Sequence, residues 1–178
     1  AMYPVLALRG FFPVEELKMF RRVDGHMSGH VEMHYVPGVD MSTGSLGQGI
    51  SAAVGMALAG KQSKKDYRVY AILGDGEVAE GQVWEAAMFT AAKKLTNLTW
   101  LIDNNKKQLD GYTADILEPF DFEEKFRAFG FEAITIDGND IDQLYNALTR
   151  KPIDKPIAII LNTVKGKGIA EVEETMGN

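Results

Sequence analysis

The stretch VYAILGDG, Val69–Gly76, decides the fold, because an apolar run typical of a buried strand ends directly in Gly74-Asp75-Gly76. The pattern recurs further along the chain, where Trp100–Ile102 precede Asn104-Asn105. Parallel strands carry their ligand sites at their carboxyl ends, so the aspartate and an asparagine are expected to face one crevice. Their hard oxygen ligands suit Mg²⁺ or Ca²⁺, and the glycines let the backbone approach a phosphate closely. The pattern therefore predicts a site for a metal-bound diphosphate.

A simpler interpretation of the same residues stays open at this point. Asp75 can cap the helix that follows it, and Asn104-Asn105 can form a turn, as such side chains often do. From the residue pattern alone, capping and turn formation are the more common roles.

Apolar runs alternate with amphipathic segments along the chain. Helices are predicted at Pro13–Arg22, Leu46–Lys61, Glu80–Leu95, Phe122–Phe129 and Ile141–Leu148. Strands are predicted at Tyr67–Leu73, Leu98–Ile102, Glu132–Ile136 and Pro156–Asn162, and an irregular loop at Asp24–Asp40. This alternation predicts an α/β fold of three layers, αβα, with a mainly parallel sheet between the helices. Neither a linker nor a repeat interrupts the pattern, so residues 1–178 are predicted to form a single domain.

Composition narrows the classes of protein to consider. The 178 residues are 46% hydrophobic and 25% charged, which is ordinary for a globular domain with its own core. An apolar run of about 18 residues and a secretory signal are both lacking, so a membrane span is not predicted. The absence of cysteine excludes disulfides and thiolate metal sites and fits a cytoplasmic protein. The net charge of −6 argues against a nucleic-acid surface, and an anionic ligand would need a local metal.

Three histidines are spaced at every fourth residue, as zinc ligands on one helix face would be: His26, His30 and His34. The glycines and the proline around them oppose a helix in this segment. A zinc site is therefore not predicted, and His26 and His34 are expected to be solvated loop residues.

Several segments together resemble transketolase, a family of thiamine diphosphate (ThDP) enzymes. They follow the order of that family and are Ser28–Glu32, Ser42–Gly49, Gly74–Glu77, Glu80–Ala86 and Asn105–Gly111. The resemblance covers essentially the whole chain. It implies the ThDP-binding fold and, for the parent enzyme, transfer of a two-carbon ketol unit between sugar phosphates.

The resemblance also implies the metal and diphosphate contacts. The side chains of Asp75 and Asn105 and the backbone carbonyl of Lys107 would bind Mg²⁺, or Ca²⁺ or Mn²⁺ in its place. Gly74 belongs to the same motif, and the N–H groups of Gly76 and Glu77 would face the diphosphate near a helix amino terminus.

By the same resemblance, Gly44-Ser45-Leu46 would hold the rings of the cofactor, through the Gly44 backbone and the Leu46 side chain. A simpler interpretation of this segment is capping of the following helix by Ser42 or Thr43, and both roles can hold at once. Leu109 and Lys165 would also lie near the cofactor.

Two residues are catalytic by resemblance. His30, in a Gly-His-x-Glu match, would lie over the reacting carbon of the thiazolium ring, near the substrate. Glu80 would belong to a hydrogen-bond path between paired active sites. Alternatively, Glu80 is only a first-turn acid that the helix dipole favours.

Catalysis is expected to need residues outside this chain. In the family, three more active-site histidines lie beyond the segments that the chain matches, and a pyrimidine-binding domain supplies the glutamate that activates the cofactor. That domain, or a carboxy-terminal transketolase subunit, is the expected partner in a homo- or hetero-oligomer. The chain alone is expected to be inactive. The helix at Glu80–Leu95, with Trp84, Met88 and Phe89, is the expected contact surface.

Other functions remain open at this stage. Deoxyxylulose-phosphate synthase and the dehydrogenase E1 subunits share the GDG and asparagine features, although Thr43–Gly49 and Asn105–Gly111 favour transketolase. A non-catalytic module or scaffold that binds ThDP and metal is an alternative of another class. A nicotinamide-binding protein is disfavoured, because Gly44-x-x-Gly47-x-Gly49 has the wrong glycine spacing and follows no predicted strand.

Overall fold

The structure is a computed structural model in which residues 2–174 are described. The chain divides into two compact units, Ala1–Ser45 and Leu46–Asn178. Between residues 2 and 174, no helix has the length and apolar character needed to cross a bilayer.

The first unit consists of short helices and irregular chain. Helix α1 spans Met2–Leu8, and a 3₁₀ helix spans Val14–Met19. Buried apolar side chains form a core in this unit: Tyr3, Ala7, Phe12, Met27, Val36 and Val39. Residues 24–40 contain turns and bends but neither helix nor strand, which confirms the predicted loop. The Tyr3 hydroxyl stabilises this loop, since the carbonyl oxygens of Ser28 and His30 lie 3.0 and 3.2 Å from it.

The second unit alternates strands and helices. Its helices are α2 (Gln48–Gln62), α3 (Gly81–Ala92), α4 (Thr113–Ile116), α5 (Phe122–Ala128), α6 (Ile141–Leu148) and α7 (Ala170–Glu173), with a 3₁₀ turn at Glu77–Ala79. Its strands are β1 (Val69–Gly74), β2 (Leu98–Asn104), β3 (Lys107–Gln108), β4 (Gly111–Tyr112), β5 (Glu132–Asp137) and β6 (Ile157–Asn162). Four strands pair in parallel in the order β1-β2-β6-β5, and β3 and β4 form a separate antiparallel hairpin. The predicted α/β class with a mainly parallel sheet is confirmed.

Helices cover both faces of the parallel sheet. On one face, α2, α3 and α5 contribute to the larger core, where the fully buried Trp100 packs edge-on against Phe126 and Phe131. On the other face, α6 packs through Ala147 in a smaller core that includes Leu101. Successive side chains of a strand point to opposite faces, which is why Trp100 and Leu101 belong to different cores. The layers are therefore helix, sheet and helix, as predicted.

One side of α3 is not the free surface that the sequence predicts. Trp84 packs against Phe126 and Phe129 of the α5 segment, with ring centroids 5.3 and 5.0 Å apart. Its indole N–H donates to the Val78 carbonyl oxygen at 3.0 Å. For Trp84 the predicted contact surface is wrong, because α5 covers that side of the helix. Met88 and Phe89 are 56% and 39% exposed, as a contact surface requires.

Candidate functional site

The carboxyl ends of three strands, β1, β2 and β6, lie side by side in the parallel sheet. Gly74 of β1 lies opposite Asp103 of β2, and Asn104 of β2 lies opposite Asn162 of β6. The residues that follow these ends are Asp75, Asn105 and Thr163. The structure therefore brings the GDG segment and the asparagine pair together at the carboxyl ends of the strands, where α/β sheets bind ligands.

Asp75 is buried at the end of β1 and is held by backbone groups. Its side chain accepts from the N–H of Gly76 at 2.8 Å and from the N–H of Lys106 at 2.6 Å. Only 3% of the residue is exposed. Asp75 caps no helix, because the residue before the 3₁₀ turn is Gly76 and the residue before α3 is Glu80. The simpler interpretation of Asp75 as a helix cap is therefore wrong.

Burial dominates the electrostatics of Asp75. Loss of solvent raises the pKa of its carboxyl group, and the nearby negative charge of Asp103 raises it further. Hydrogen bonds from the N–H groups of Gly76 and Lys106 lower the pKa, but burial outweighs them. A cation beside Asp75 would favour the charged carboxylate, so this environment suits a metal ligand.

Asn105 forms a turn, and both the oxygen and the nitrogen of its side-chain amide make hydrogen bonds. Its oxygen accepts from the Lys107 N–H at 3.0 Å, and its nitrogen donates to Asp103 Oδ2 at 3.0 Å. The turn that the simpler interpretation predicts is therefore present at Asn105. It does not exclude metal binding, since an amide oxygen has a second lone pair. The neighbouring Asn104 instead donates to Asn162 Oδ1 at 3.0 Å.

The backbone beyond Asn105 turns sharply into the β3–β4 hairpin. Lys106 has a φ of 64°, which is uncommon for a residue with a side chain. This conformation accompanies the hydrogen bond from its N–H to Asp75, and its carbonyl accepts from the Thr113 N–H at 3.0 Å. Lys107, the predicted carbonyl ligand, opens β3 opposite Tyr112. The backbone at 106–107 is thus fixed directly beside Asp75.

Glu77 has a role that the sequence does not reveal. Its carboxylate accepts from the Gly47 N–H at 2.8 Å and from the Gly74 N–H at 3.3 Å. It therefore ties the residue before α2 to the end of β1. Gly47 precedes α2 with a φ of 75°, and no side chain caps this helix. Capping by Ser42 or Thr43 is consequently wrong: α2 begins at Gln48.

In Gly44-Ser45-Leu46, the segment predicted to hold the cofactor rings, Gly44 is crowded and Leu46 is open to solvent. Gly44 has a φ of 133°, and a Cβ on it would lie 2.5 Å from the His30 ring, so only glycine fits there. Ser42, two residues earlier, accepts from the Met33 N–H at 3.1 Å. Ser45 is exposed, and Leu46 is 56% exposed. The Leu46 side chain is therefore accessible to a ligand.

The three histidines do not converge. His30 is exposed and lies against Gly44, as just described. His26 pairs with Glu16 at 3.0 Å, and His34 lies 4.0 Å from Glu32. In the described part of the chain, no group of three or more His, Cys, Asp or Glu is arranged to hold a metal.

The remaining predicted residues lie outside the Asp75–Asn105 cluster. Glu80 is exposed at the start of α3 and makes no capping hydrogen bond. Leu109 is 72% exposed at the tip of the β3–β4 hairpin. Lys165 is partly buried beyond β6.

The cluster fits a divalent cation bound together with a diphosphate. It offers one carboxylate, one amide oxygen and a nearby backbone, which are hard ligands. The remaining ligands would be oxygens of the diphosphate and water. The backbone of Gly76 has no side chain, and a Cβ there would lie 2.8 Å from Gln108 Oε1. Glycine at this position therefore lets Gln108 pack directly against the backbone beside Asp75.

Three residues of this cluster are missed by the sequence interpretation: Asp103, Lys106 and Thr163. Asp103 directly follows the apolar run of a predicted strand, so its position at the sheet edge is a usable signal. The positive φ of Lys106 and the contact from Thr163 depend on tertiary structure and have no signal in the sequence.

Comparison with known proteins identifies relatives along nearly the whole chain. The family described as transketolase, thiamine diphosphate binding domain, matches residues 1–177. The chain is 48% identical over 172 residues to a 6-deoxy-6-sulfo-D-fructose transketolase subunit from Clostridium sp., covering 94% of this chain and 62% of the relative. It is 42% identical over 172 residues to an apulose-4-phosphate transketolase subunit from Actinobacillus succinogenes, covering 96% of this chain and 62% of the relative.

Solved structures of transketolases also superpose on nearly the whole chain. A transketolase variant from Pichia stipitis superposes with a TM-score of 0.88 at 34% identity, covering 94% of this chain and 27% of that chain. Transketolase from Campylobacter jejuni gives a TM-score of 0.82 at 31% identity, covering 93% of this chain and 28% of the other. The chain thus spans 62% of the length of the two subunit relatives and a smaller share of these whole enzymes.

Proposed function

This chain belongs to the transketolase family of thiamine diphosphate-binding domains, and we propose that it binds ThDP together with a divalent cation at the carboxyl ends of β1 and β2. One observation carries the proposal: the buried carboxylate of Asp75 and the doubly held amide of Asn105 lie at neighbouring strand ends. Mg²⁺ is the expected cation, and Ca²⁺ or Mn²⁺ can replace it because the ligands are hard oxygens.

The proposal assigns separate groups of residues to the cation, to the diphosphate and to the rest of the cofactor. Asp75, Asn105 and the Lys107 carbonyl would hold the cation. The backbone at Gly74–Glu77 would approach the diphosphate. Further contacts to the cofactor would come from Gly44, Ser45, Leu46, Leu109 and Lys165.

Ketol transfer is the reaction that this site would serve. When bound, ThDP would supply the electron sink for breaking a C–C bond beside a ketose carbonyl. His30, whose ring lies against Gly44, would contact the substrate. Glu80 would connect the site by hydrogen bonds to a second active site.

The proposed reaction needs a partner. A pyrimidine-binding domain or a carboxy-terminal transketolase subunit would complete the active site in a homo- or hetero-oligomer. Two relatives are named for a sulfonated and a phosphorylated sugar. A sugar with an anionic group, most simply a sugar phosphate, is therefore the proposed substrate class, and the cytoplasm is the proposed compartment.

A second candidate function is a non-catalytic module that binds ThDP and metal. Asp75 and Asn105 lie together at the strand ends, whereas the predicted catalytic residue Glu80 lies exposed outside their cluster, which favours this function. A ketol-transfer assay with and without a partner subunit separates the two functions. Activity that emerges only with the partner overturns the second function. Inactivity in both conditions supports the second only if a partner that also supplies the missing histidines restores nothing.

Calorimetric titration of ThDP into the chain tests the binding proposal, with Mg²⁺ present or absent. Binding should require the cation, and Asp75→Ala should weaken it by more than about 100-fold, because a directly coordinating charge is lost. Asp66→Ala is the matched control, since Asp66 is an exposed aspartate before the other end of β1. It should bind as the unmodified chain does.

The result that overturns the proposal is equally specific. If Asp75→Ala binds ThDP and Mg²⁺ as tightly as the unmodified chain, the site is elsewhere. Circular dichroism and urea unfolding of Asp75→Ala establish that lost binding is not lost folding. Asp75→Asn provides a second variant, because it keeps the size of the side chain while removing its charge.

A further inference from the structure

The amide of Asn105 is held in one of its two possible orientations. Its nitrogen faces Asp103 Oδ2, and its oxygen faces the Lys107 N–H, each at 3.0 Å. A carboxylate only accepts hydrogen bonds and a backbone N–H only donates. Turning the amide over would place oxygen against oxygen and N–H against N–H. Both hydrogen bonds would then be lost at once, so the observed orientation is strongly favoured.

Asp103 is itself held from a different strand. The hydroxyl of Thr163, the residue after β6, donates to Asp103 Oδ1. The other carboxylate oxygen accepts from Asn105. Asp103 lies opposite Leu161 in the β2–β6 pair, so the chain of hydrogen bonds runs from β6 across β2 to Asn105. The pairing of β6 with β2 thus holds the Asp103 carboxylate in place, and this carboxylate in turn holds the Asn105 amide.

In this arrangement the neighbouring acidic and amide groups have two different roles. Asp75 and Asn105 carry the oxygens that the proposed function assigns to the cation. Both oxygens of Asp103 already have hydrogen-bond partners from side chains. Partners that hold a metal ligand in place commonly affect metal affinity by about 10- to 100-fold.

We propose that Asp103, supported by Thr163, is a positioning residue that directs the Asn105 amide oxygen toward the divalent cation. This inference rests on the proposed function for the existence of the cation site. It assigns Asp103 no direct contact with the metal. The essential property of Asp103 is the acceptor it presents to Asn105, and its negative charge is not required.

Titration of Mg²⁺ with ThDP into four variants tests the assignment. Asp103→Ala should bind about 10- to 100-fold more weakly, and Thr163→Val should bind more weakly by a smaller factor. Asp103→Asn should recover most of the affinity, because its amide oxygen can accept from Asn105 while its amide nitrogen donates to the Thr163 hydroxyl. Asn162→Ala is the matched control: it removes the neighbouring Asn104–Asn162 hydrogen bond at the same edge and should leave affinity unchanged.

Nuclear magnetic resonance of the side-chain amides provides a readout that needs no ligand. The Asn105 amide proton that faces Asp103, assigned with Asn105→Ala, should exchange with solvent about tenfold faster in Asp103→Ala, since its hydrogen bond to a carboxylate is lost. The exchange rate of this proton should be unaffected in Asn162→Ala. A merely structural role of Asp103 would change the melting temperature without this selective change at Asn105.

The possible outcomes are distinguishable. Unchanged affinity or unchanged amide exchange in Asp103→Ala overturns the inference. Asp103→Asn as weak as Asp103→Ala also overturns it, because Asp103 would then act through its charge or as a direct ligand. If the unmodified chain binds no cation with ThDP, the proposed function fails, and the amide exchange alone decides whether Asp103 orients Asn105.

Discussion

Two aspartates of this chain receive similar hydrogen bonds in opposite surroundings. Asp75, at the end of β1, accepts from two backbone N–H groups, and Asp140, before α6, accepts from two N–H groups of that helix. The pKa of Asp75 is raised because burial disfavours its charged form, whereas hydrogen bonds from Gln143 hold the pKa of the exposed Asp140 below its ordinary value. Asp140 also accepts from the Gln143 side-chain amide at 2.9 Å, so burial at Asp75 and hydrogen bonding at Asp140 set the two directions. The charged form of Asp75 is therefore disfavoured unless an opposite charge lies beside it, whereas the exposed helix cap carries its charge without one.

The largest expected effect is a difference between variants of the two aspartates in how much ThDP and Mg²⁺ raise the free energy of unfolding. With ThDP and Mg²⁺ at about 100 times their dissociation constant, the free energy of unfolding should rise by about 2.7 kcal/mol, because only the folded chain binds them. Asp140→Ala should keep this increase, and Asp75→Ala, which binds more than about 100-fold more weakly, should gain less than about 0.4 kcal/mol. Urea unfolding with and without ligands measures it. The comparison breaks down if Asp75→Ala is stabilised as much as Asp140→Ala.

A smaller effect concerns the crowding beside Asp75. In Gly76→Ala the new Cβ would lie 2.8 Å from Oε1 and 3.0 Å from Cβ of Gln108. Such overpacking should lower the free energy of unfolding by about 1 kcal/mol or more. Gly81→Ala is the control, since a Cβ there meets no atom within 4 Å. Urea unfolding of both variants decides, and equal stabilities would mean that Gln108 moves aside freely.

The smallest expected effect is the pH dependence at Asp140. Its lowered pKa means that its contribution to stability is present above the ordinary value of 3.8 and is lost as pH falls through the lower folded pKa. The difference in unfolding free energy between the unmodified chain and Asp140→Ala should therefore shrink on acidification from about pH 6 to about pH 3. Asp140→Asn, a neutral cap, should show a weaker pH dependence. A difference that grows on acidification would contradict the sign of the pKa shift.

Long apolar runs make the sheet predictable. All four strands of the parallel sheet are predicted close to their observed bounds, and so is the edge at which Asp75 and Asn105 meet. The reason is that fully buried parallel strands need continuous apolar sequence, and glycine or asparagine marks their ends.

Short elements and side-chain partners are not predictable in this way. The β3–β4 hairpin and α4 are too short for any periodicity, and the chain enters the hairpin through Lys106, whose φ is positive. The inward side of α3 is missed because Trp84, Met88 and Phe89 give this helix apolar residues around a wide arc, so periodicity selects no face. The Thr163–Asp103–Asn105 contacts join residues far apart in sequence and arise only from the order of strands.

The order β1-β2-β6-β5 also constrains how the chain assembles during synthesis. β6 is the last of these strands to leave the ribosome, yet it lies inside the sheet, between β2 and β5. Among the described strands β5 pairs only with β6, so β5 has no place in the sheet until Ile157–Asn162 has emerged. Until then a nascent chain exposes the edge of β2. Completion of this sheet is therefore a late event that waits for nearly all of its sequence, and the unfinished sheet is the stage most open to aggregation or to a chaperone.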